Sequence, residues 1–430
     1  MNRSFLFPFL FPFLFLLITL LVVLTGSAVA GSKYQVIHRL QQTGNGGTSP
    51  TTLIADPAGN LYGTTDSGGK YDYGTVYELK APAAKGGPWT TIPLYSFPNG
   101  FIPVQSAGAG WLILDQSGNL YGVTAYGGHG CDGVGCGTVF KLTPTNGPGS
   151  GWTETNLYVF SGWDGFQPGG LAVDQEGNLY GTTYGGGRGC RAFGCGTVFK
   201  LTPSAQGKPW KRTVIYYFKG VPGDDGDGDG AGPYNIVFDA KGNLYGATLD
   251  GGHCVQGTCN GTAFELKPPA KNGSLWTETV LYRFSFSNSD QLYSGLVLDK
   301  SGAIYGSTQA TVYQLVLENG VWTENVLVSD AYVYSGVVLD GAGNLYGTAL
   351  FNSQYQNGWA FELSPPEKRG GTWTQTVLHV FASGNDGAAP SSGVTFGLDG
   401  LLYGTTLRGG NNQCVVGGGT GCGTVFRLAP

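Results

Sequence analysis

Short runs of alternating apolar and polar residues recur along the chain, and turn-forming residues bound each run. In one stretch the runs cover residues 111–114, 120–124, 138–142 and 152–160. Their period of two and their β-branched and aromatic content predict four consecutive β-strands. Between the first two runs, Asp115 can close an Asx-turn and Gly118 can adopt a positive φ, so this connection is predicted to be a tight hairpin.

This four-run unit occurs seven times. Its signature, Asp-x-x-Gly-x-Leu/Ile-Tyr-Gly, begins at Asp56, Asp115, Asp174, Asp239, Asp299 and Asp340, and it returns at Gly397 with glycine replacing the aspartate. Four antiparallel strands in a unit of about 40 to 60 residues form a blade that hides its apolar faces only against neighbouring blades. The sequence therefore predicts an all-β fold, a seven-bladed β-propeller of four-stranded antiparallel blades. The glycine after each repeated tyrosine is expected to mark close packing of backbones.

The two ends of the chain complement each other. The last unit ends at residues 423–428 without a fourth strand, whereas residues 34–40 form a strand-like run that no other unit needs. We expect the N-terminal strand to pair in the last blade, because this would close the ring and remove two exposed sheet edges. Residues 31–430 then form one propeller domain.

The repeat also resembles a known family. The segment 118–122 reads Gly-Asn-Leu-Tyr-Gly and leads to Gly-Thr-Val-Phe-Lys-Leu-Thr-Pro at 137–144. Units of this kind are similar to the GloVer (Gloeo/Verruco) tandem repeats of secreted bacterial proteins, and the likeness covers essentially the whole chain after residue 30. It implies a propeller of poorly known function and transfers no catalytic residues. The fifth unit departs most, with Gly-Ala-Ile-Tyr-Gly at 302–306 and a very short second loop.

The N-terminus has the pattern of a secretory signal. Arg3 precedes an apolar run over residues 5–24, and Ala28-Val29-Ala30 offers a cleavage site before Gly31. The alternative is an uncleaved membrane anchor, although prolines interrupt the run. We therefore expect a secreted or periplasmic protein with no membrane contact after cleavage, and we expect it to be a monomer.

Charge and composition narrow the choice of partner. Removing residues 1–30 removes one charged residue, Arg3, which leaves 22 basic and 28 acidic residues and a net charge of −6. This balance argues against a nucleic-acid partner. The 76 glycines and the 13% aromatic content are typical of short strands and tight turns around an apolar interior.

The eight cysteines occur as close pairs within one kind of loop, between the second and third strands of a unit. Isolated pairs in separate units of an exported protein predict local disulfides rather than zinc ligands. The predicted bonds join Cys131 to Cys136, Cys190 to Cys195, Cys254 to Cys259, and Cys414 to Cys422. Their main effect should be to make the glycine-rich loops rigid, because short closed loops add little global stability.

One acidic loop is a candidate metal site. Asp225, Asp227 and Asp229 alternate with glycine, which is the spacing with which calcium loops begin. The position of the final bidentate glutamate of an EF-hand holds Ile236, so an EF-hand is excluded. Calcium, the one cofactor that the sequence suggests, would need carbonyl groups or a second loop as further ligands. The alternative is a solvated acidic insertion.

The sequence offers little for catalysis. It contains no G-x-S-x-G, H-E-x-x-H or phosphate-binding loop, and two of the four histidines, His38 and His379, lie on predicted outer strands. The repeated aspartates are interpreted as turn residues because every unit has one. We predict no catalytic residue.

The better candidates for function are residues that do not repeat. All but Trp111, which begins a predicted strand, lie in the two kinds of loop that emerge on one face of the ring, and aromatic and arginine side chains there are suited to binding sugars or proteins. The predicted binding residues are Trp111, His129, Trp163, Phe166, Arg188, Arg191, Phe193, His253 and Arg408.

Two functions from different classes remain open. The first is a non-catalytic binding or cell-surface interaction module for an unknown glycan or protein, which the thin set of titratable groups favours. The alternative is an extracellular hydrolase or lyase acting on polysaccharide, with its site at the axial mouth of the ring. A pair of perturbed acids or a metal at that mouth would favour the enzyme.

Overall fold

A computed structural model of the chain describes residues 33–430, apart from positions 42–45, 85, 99–111, 146–150, 191–193, 206–207, 221–225, 256–257, 271–274, 285–291, 293, 330, 353, 369 and 417–418. Residues 34–430 form one compact unit. Seven four-stranded antiparallel sheets follow one another along this unit, each with its strands in the order first to fourth from the axis outward. The predicted seven-bladed propeller is confirmed. Within the described residues, no helix is long and apolar enough to cross a membrane.

The strand bounds follow the repeat. Blade 1 has strands Gly47–Ala55, Leu61–Gly68, Thr75–Lys80 and Thr90–Ser96, and blade 2 has Leu112–Leu114, Leu120–Thr124, Thr138–Pro144 and Trp152–Val159. Blade 3 has Phe166–Val173, Leu179–Gly185, Thr197–Thr202 and Lys211–Tyr217. Blade 4 has Ala231–Phe238, Leu244–Asp250, Thr262–Lys267 and Thr277–Arg283. Blade 5 has Val297–Leu298, Ile304–Ser307, Thr311–Glu318 and Val321–Ser329, and blade 6 has Val337–Leu339, Leu345–Ala349, Trp359–Ser364 and Thr374–Val380.

Blade 7 combines both ends of the chain. Its first three strands are Val394–Phe396, Leu402–Thr406 and Thr424–Leu428, and its fourth is Tyr34–Arg39. The N-terminal strand pairs antiparallel with the last strand, from Tyr34 opposite Leu428 to Arg39 opposite Thr424. The predicted closure is therefore confirmed.

A few short elements belong to loops. Gly226–Asp227, His253–Val255 and Thr258–Asn260 form a three-stranded sheet, and Val415–Val416 pairs with Gly419–Thr420. The two 3-10 helices of the described residues are Cys131–Gly133 and Gly384–Asp386.

The repeated aspartate builds the inner hairpin. One oxygen of Asp115 accepts the backbone N–H groups of Ser117 and Asn119, both at 2.8 Å. Its other oxygen accepts the side chains of Asn119 at 2.7 Å and Tyr121 at 3.0 Å. Burial opposes ionisation here, but these hydrogen bonds outweigh it and hold the pKa of Asp115 below its ordinary value.

In blade 7 the carboxylate is supplied from another position. Gly397 stands where the other blades have aspartate, and the Tyr403 hydroxyl donates to Asp399 at 2.8 Å instead. Each blade thus keeps a carboxylate that accepts a hydrogen bond from its repeated tyrosine. In blade 4 this carboxylate is Glu265, which accepts from the Tyr245 hydroxyl at 2.8 Å.

The repeated tyrosine and tryptophan join neighbouring blades. The tyrosine ring of one blade packs against the tryptophan that precedes or begins the fourth strand of the next, at centroid distances of 5.9 to 6.4 Å. The pairs are Tyr62 with Trp152, Tyr121 with Trp210, Tyr180 with Trp276, Tyr305 with Trp373, and Tyr403 with Trp89. The last pair links blade 7 to blade 1, so closure uses the same contact as every other boundary described.

The glycine after the repeated tyrosine has a further role besides the one expected. At Gly122 a Cβ atom would lie 2.4 Å from Cζ of Phe140, which belongs to the adjacent third strand. The glycine therefore makes room for a buried aromatic ring inside the blade. In blades 4 and 7 it also allows the expected close approach of backbones, since a Cβ atom at Gly246 or Gly404 would lie 2.6 or 2.8 Å from a backbone carbonyl oxygen of the first strand region.

Candidate functional site

The face that carries the loops between second and third strands, and those between the fourth strand and the next blade, is called the loop face here. All four predicted disulfides lie on it, joining Cys131 to Cys136, Cys190 to Cys195, Cys254 to Cys259, and Cys414 to Cys422. The prediction of four local disulfides is confirmed. Such bonds are typical of an oxidising compartment.

Trp163 lies at the tip of a tight hairpin that leads from blade 2 to blade 3. Gly162 and Gly165 exchange backbone hydrogen bonds at 3.2 and 3.1 Å across the hairpin. Gly162 has φ of +95°, a conformation that favours glycine, and a Cβ atom there would lie 3.5 Å from the sulfurs of Cys131 and Cys136. The disulfide of blade 2 therefore supports the base of this hairpin.

Asp164, next to Trp163, fixes the hairpin through hydrogen bonds of its side chain. One oxygen accepts the backbone N–H of Ser161 at 2.8 Å and its hydroxyl at 2.9 Å, and the other accepts the hydroxyl of Tyr158. The guanidinium of Arg212 lies 3.9 Å from the carboxylate and also donates to the Asp164 carbonyl. Burial opposes ionisation, but these hydrogen bonds and the charge of Arg212 outweigh it and hold the pKa of Asp164 below its ordinary value.

Equivalent aspartates hold the corresponding loops of blades 3 and 6. Asp229 accepts from the hydroxyl of Tyr216 at 2.8 Å and the backbone N–H of Lys219 at 2.9 Å. Asp386 lies 3.1 Å from Nε2 of His379 and accepts a backbone N–H at 2.7 Å. The pair of His379 and Asp386 is thus the counterpart of a tyrosine and aspartate elsewhere, which is a structural arrangement rather than an acid-base pair.

Trp163 itself is not required by this arrangement. The residue before the aspartate is Gly228 in blade 3 and Asn385 in blade 6. The Trp163 carbonyl accepts the backbone N–H of Gly187 at 3.2 Å, so both ends and the tip of the hairpin are fixed. Its side chain is nevertheless 88% exposed. A large apolar side chain on a rigid backbone is therefore presented to solvent.

Two exposed side chains lie on loops whose backbones contact the Trp163 hairpin. Exposed Arg188 follows Gly187 directly, and its guanidinium lies 5.7 Å from the ring centroid of Tyr217. Exposed His129 precedes Gly130, where a Cβ atom would lie 3.2 Å from the Ser161 carbonyl at the start of the tryptophan hairpin. We call Trp163, Arg188, His129, Phe166 and Tyr184 the blade 2–3 cluster.

Phe166 and Tyr184 form the part of the cluster nearer the axis. Phe166 is half-buried and packs edge-on against Tyr184 at 6.2 Å, and Tyr184 is 42% exposed. Sequence reasoning missed Tyr184. The available signal was that the fifth residue after the leucine that begins the second strand is tyrosine in this blade, but leucine in blades 4, 6 and 7.

The remaining predicted binding residues do not join this cluster. Arg408 lies in blade 7, beyond blade 1, where its backbone pairs with Ala388 and a Cβ atom at Gly419 would meet its side chain. His253 pairs with Asn260 in the small sheet of blade 4, and its side chain lies outside the described part. Trp111, Arg191 and Phe193 also lie outside the described residues.

The structure gives a partial view of the acidic loop. Asp225 and the side chain of Asp227 lie outside the described part, and Asp229 has the turn contacts given above. The described residues contain no group of three or more histidine, cysteine, aspartate or glutamate side chains that could hold a metal. Calcium binding at this loop stays a prediction.

One carboxyl group on the second strand of blade 1 has a raised pKa. Asp66 lies at the loop-face end of the second strand, where blade 3 has Tyr184. Burial raises its pKa to about 8, and one of its oxygens is buried without a partner in the described residues. A perturbed acid pair would support the hydrolase alternative, but no second carboxyl group raises the pKa of Asp66.

Several solved structures are similar to this chain. The extracellular domain of a hybrid two-component system from B. thetaiotaomicron has a TM-score of 0.52 at 11% identity, over 93% of this chain and 41% of that chain. PorZ of the type-IX secretion system of Porphyromonas gingivalis gives 0.49 at 14% identity, over 87% and 46%. Aldose sugar dehydrogenase from Streptomyces coelicolor gives 0.42 at 12% identity, over 92% and 97%. The chain thus spans less than half the length of the first two, and at these identities the likeness concerns the fold alone.

The sequence comparison gives the family. No curated protein sequence matches the chain significantly. The family model described as the Gloeobacter/Verrucomicrobia repeat matches residues 24–226 and, in a second overlapping placement, residues 113–314. These placements cover more than half of the chain and coincide with blades in which the hairpin aspartate, the tyrosine and the interblade tryptophan recur. The chain belongs to the Gloeobacter/Verrucomicrobia repeat family.

Proposed function

We propose that this protein is an exported, non-catalytic binding module that contacts its ligand through the blade 2–3 cluster. The observation that carries the proposal is the combination at Trp163 of a fixed backbone and a side chain that is 88% exposed. Ordering an aromatic anchor before binding reduces the entropy lost on association. A tryptophan held in this way is suited to be a binding hot spot.

The proposed ligand is a surface glycan or a protein that presents a flat apolar face. An indole ring can pack against the apolar face of a sugar ring or against an apolar side chain. Arg188 and His129 lie on the two loops that contact the Trp163 hairpin and can supply hydrogen-bond donors, while the nearby acid, Asp164, is occupied within its own loop. The arrangement therefore favours binding of a ligand through shape and hydrogen bonds over catalysis of a reaction on that ligand.

Export forms part of the proposal. Residues 1–30 would direct secretion and be removed, which would leave the protein in the periplasm or outside the cell. The four disulfides support this location, because such bonds persist in oxidising compartments. Mass spectrometry of the purified exported protein would test it, with an N-terminus at Gly31 as the expected result.

The binding proposal is tested with an array of glycans and cell-wall fractions. We expect Trp163→Ala to reduce the binding of any ligand found by about 30-fold, the effect of losing a hot spot worth about 2 kcal/mol. Its melting temperature should stay within about 1 °C of the parent value, because an exposed side chain contributes little to stability. Leu398→Ala is the matched control, since Leu398 is 74% exposed but lies in the inner hairpin of blade 7.

Equal binding by the parent protein and by Trp163→Ala would reject the blade 2–3 cluster as the site. Equal loss in Trp163→Ala and Leu398→Ala would indicate nonspecific adhesion rather than a site. Turnover of a bound polysaccharide, measured as release of reducing ends, would instead support the hydrolase alternative.

A further inference from the structure

The loop face of blade 6 carries a stacked pair of aromatic rings. Tyr332 lies in the loop that leads from blade 5 to blade 6, and Phe351 lies in the loop between the second and third strands of blade 6. Their ring centroids are 4.4 Å apart, with 21° between the ring planes. The pair therefore belongs to the loop face, but to different blades from the blade 2–3 cluster.

The repeat does not require this pair. The backbone N–H of Leu350 donates to the Tyr332 carbonyl at 2.9 Å. The equivalent bond of blade 7 joins the N–H of Leu407 to the Ala389 carbonyl at 3.0 Å. Blade 7 thus keeps the same backbone contact with alanine and arginine in the places of the two rings. The contact joins the two loops, and the rings are not needed for it.

The backbone is fixed on both sides of Phe351. Before it, Leu350 is held by the bond to Tyr332, and after it the N–H of Asn352 donates to the Tyr355 carbonyl at 3.2 Å. Oδ1 of Asn352 also closes an Asx-turn, accepting the N–H groups of Gln354 at 2.9 Å and Tyr355 at 2.6 Å. A ring on a backbone held in this way loses little further entropy when a ligand binds.

The phenylalanine ring has one covered face. Tyr332 stacks on that face, and yet Phe351 is 43% exposed. This exposure belongs to the opposite face and the edge of the ring, because the stacked face is covered. A flat aromatic face open to solvent and backed by a second ring can pack against the apolar C–H face of a sugar.

The surroundings of the ring are uncharged. Residues 331–339 and 350–358, which form these loops and the start of blade 6, include no acidic or basic residue. They offer amide groups instead, since Gln354 and Gln356 are exposed. Nε2 of Gln356 donates to the Asn352 carbonyl at 3.0 Å, so this amide lies against the loop directly after the ring. Neutral donors and acceptors of this kind suit hydroxyl groups rather than a charged ligand.

The apolar area is too small for a protein partner. In the described residues of the two loops, Phe351 is the only large apolar side chain that is exposed. A standard protein interface covers about 800 Å² on each partner and has an apolar core. A single ring among amide groups matches one sugar ring instead.

We propose that the stacked pair of Phe351 and Tyr332 is a binding platform for a neutral glycan, with one pyranose ring lying on the open face of Phe351. The amide groups of the loop would hydrogen-bond to its hydroxyl groups. A β-linked glucose or N-acetylglucosamine unit has the required shape, because its substituents are equatorial and leave apolar C–H faces. This site goes beyond the function proposed above, because it does not depend on the blade 2–3 cluster.

The test measures binding of two neutral probes by saturation-transfer NMR, the β-1,4-linked tetramers of glucose and of N-acetylglucosamine. The full-length exported Trp163→Ala variant serves as the reference protein, so that binding through Trp163 does not contribute. We expect at least one tetramer to bind the reference with a Kd on the order of 1 mM. Adding Phe351→Ala should weaken this binding about tenfold or more, whereas adding Phe351→Tyr keeps the ring and should leave binding within about threefold. The melting temperature of the Phe351→Ala protein should stay within about 3 °C of the reference, because the side chain is partly exposed.

The matched control is Tyr71→Ala in the same reference protein. Tyr71 is 46% exposed and lies on blade 1, so its loss should leave binding unchanged. Equal loss in the Tyr71→Ala and Phe351→Ala proteins would show adhesion to exposed rings in general and would overturn the assignment. So would unchanged binding after Phe351→Ala, no binding of either neutral tetramer at about 10 mM, or equal binding of the charged tetramer of galacturonate. None of these outcomes bears on the blade 2–3 cluster, because every protein compared lacks Trp163.

Discussion

Replacing Tyr34 by alanine should loosen the closure of the ring. The ring of Tyr34 stacks on His379 of blade 6 at 3.6 Å with 4° between planes. It also lies 5.8 Å from Phe381 and 5.6 Å from Phe426, and its hydroxyl donates to the Asp386 carbonyl. One side chain near the N-terminus thus bridges the fourth strand of blade 7 to blade 6.

The expected cost follows from these contacts. Truncating a fully buried aromatic side chain costs about 3 to 5 kcal/mol, so about half of that applies to the half-buried Tyr34. The aromatic pairs add about 1 kcal/mol, which gives about 3 kcal/mol in total. For a chain of this length such a loss lowers the melting temperature by about 3 to 5 °C.

Urea unfolding monitored by tryptophan fluorescence measures this free energy. Tyr34→Phe keeps the rings and loses one hydrogen bond, so its expected loss is about 1 kcal/mol. Gln35→Ala is the matched control on the same strand, because Gln35 is exposed and loses only the exposed hydrogen bonds that Arg427 donates to it, so stability should change by less than about 0.5 kcal/mol. If Tyr34→Ala unfolds at the same urea concentration as the parent, the N-terminal strand does not close the ring in solution.

Two further perturbations test the chemistry of the blade boundaries and loops. Burial first, and then the charge of Asp229, raise the pKa of Glu278 to about 7, so folding favours its protonated form and stability falls as pH rises from about 4.5 past 7. Glu278→Gln should therefore be more stable than the parent by on the order of 1 kcal/mol at pH 8, after allowance for solvent screening, and equal to it at pH 4, as measured by urea unfolding. A gain of equal size at both pH values would contradict this reasoning. Replacing Cys131 and Cys136 by serine should speed hydrogen exchange in the Trp163 hairpin and have a smaller effect on global stability, at most about 2 kcal/mol, because the closed loop is short. Unchanged exchange in that hairpin, measured by mass spectrometry, would show that the disulfide does not support it.

The sequence predicted the repeat architecture because each blade is specified locally. Alternation, the Asp115 type of turn and the short closed cysteine loops all act within a single unit, so they can be recognised without knowing the neighbours. The complementary ends predicted closure for the same reason, since one unit lacked the strand that residues 34–40 supplied.

The sequence could not identify which loops meet. His129, Trp163 and Arg188 belong to three different loops, and only the packing of blades 2 and 3 brings them to one place. Arg408 was predicted on the same grounds, as a nonrepeating arginine in a loop, but it lies in blade 7. Tyr184 gave too weak a signal, because its importance depends on contact with Phe166 rather than on its own strand.

The sequence by itself thus determined the number of blades, their strand order, the disulfide pairs and the joining of the two chain ends. These features depend on periodicity and turn chemistry over short distances. Only the tertiary structure decided which side chains share a boundary, such as Leu40 facing Tyr77 and Tyr34 stacking on His379. Such contacts join residues from different blades, and their energies depend on packing that no local pattern encodes.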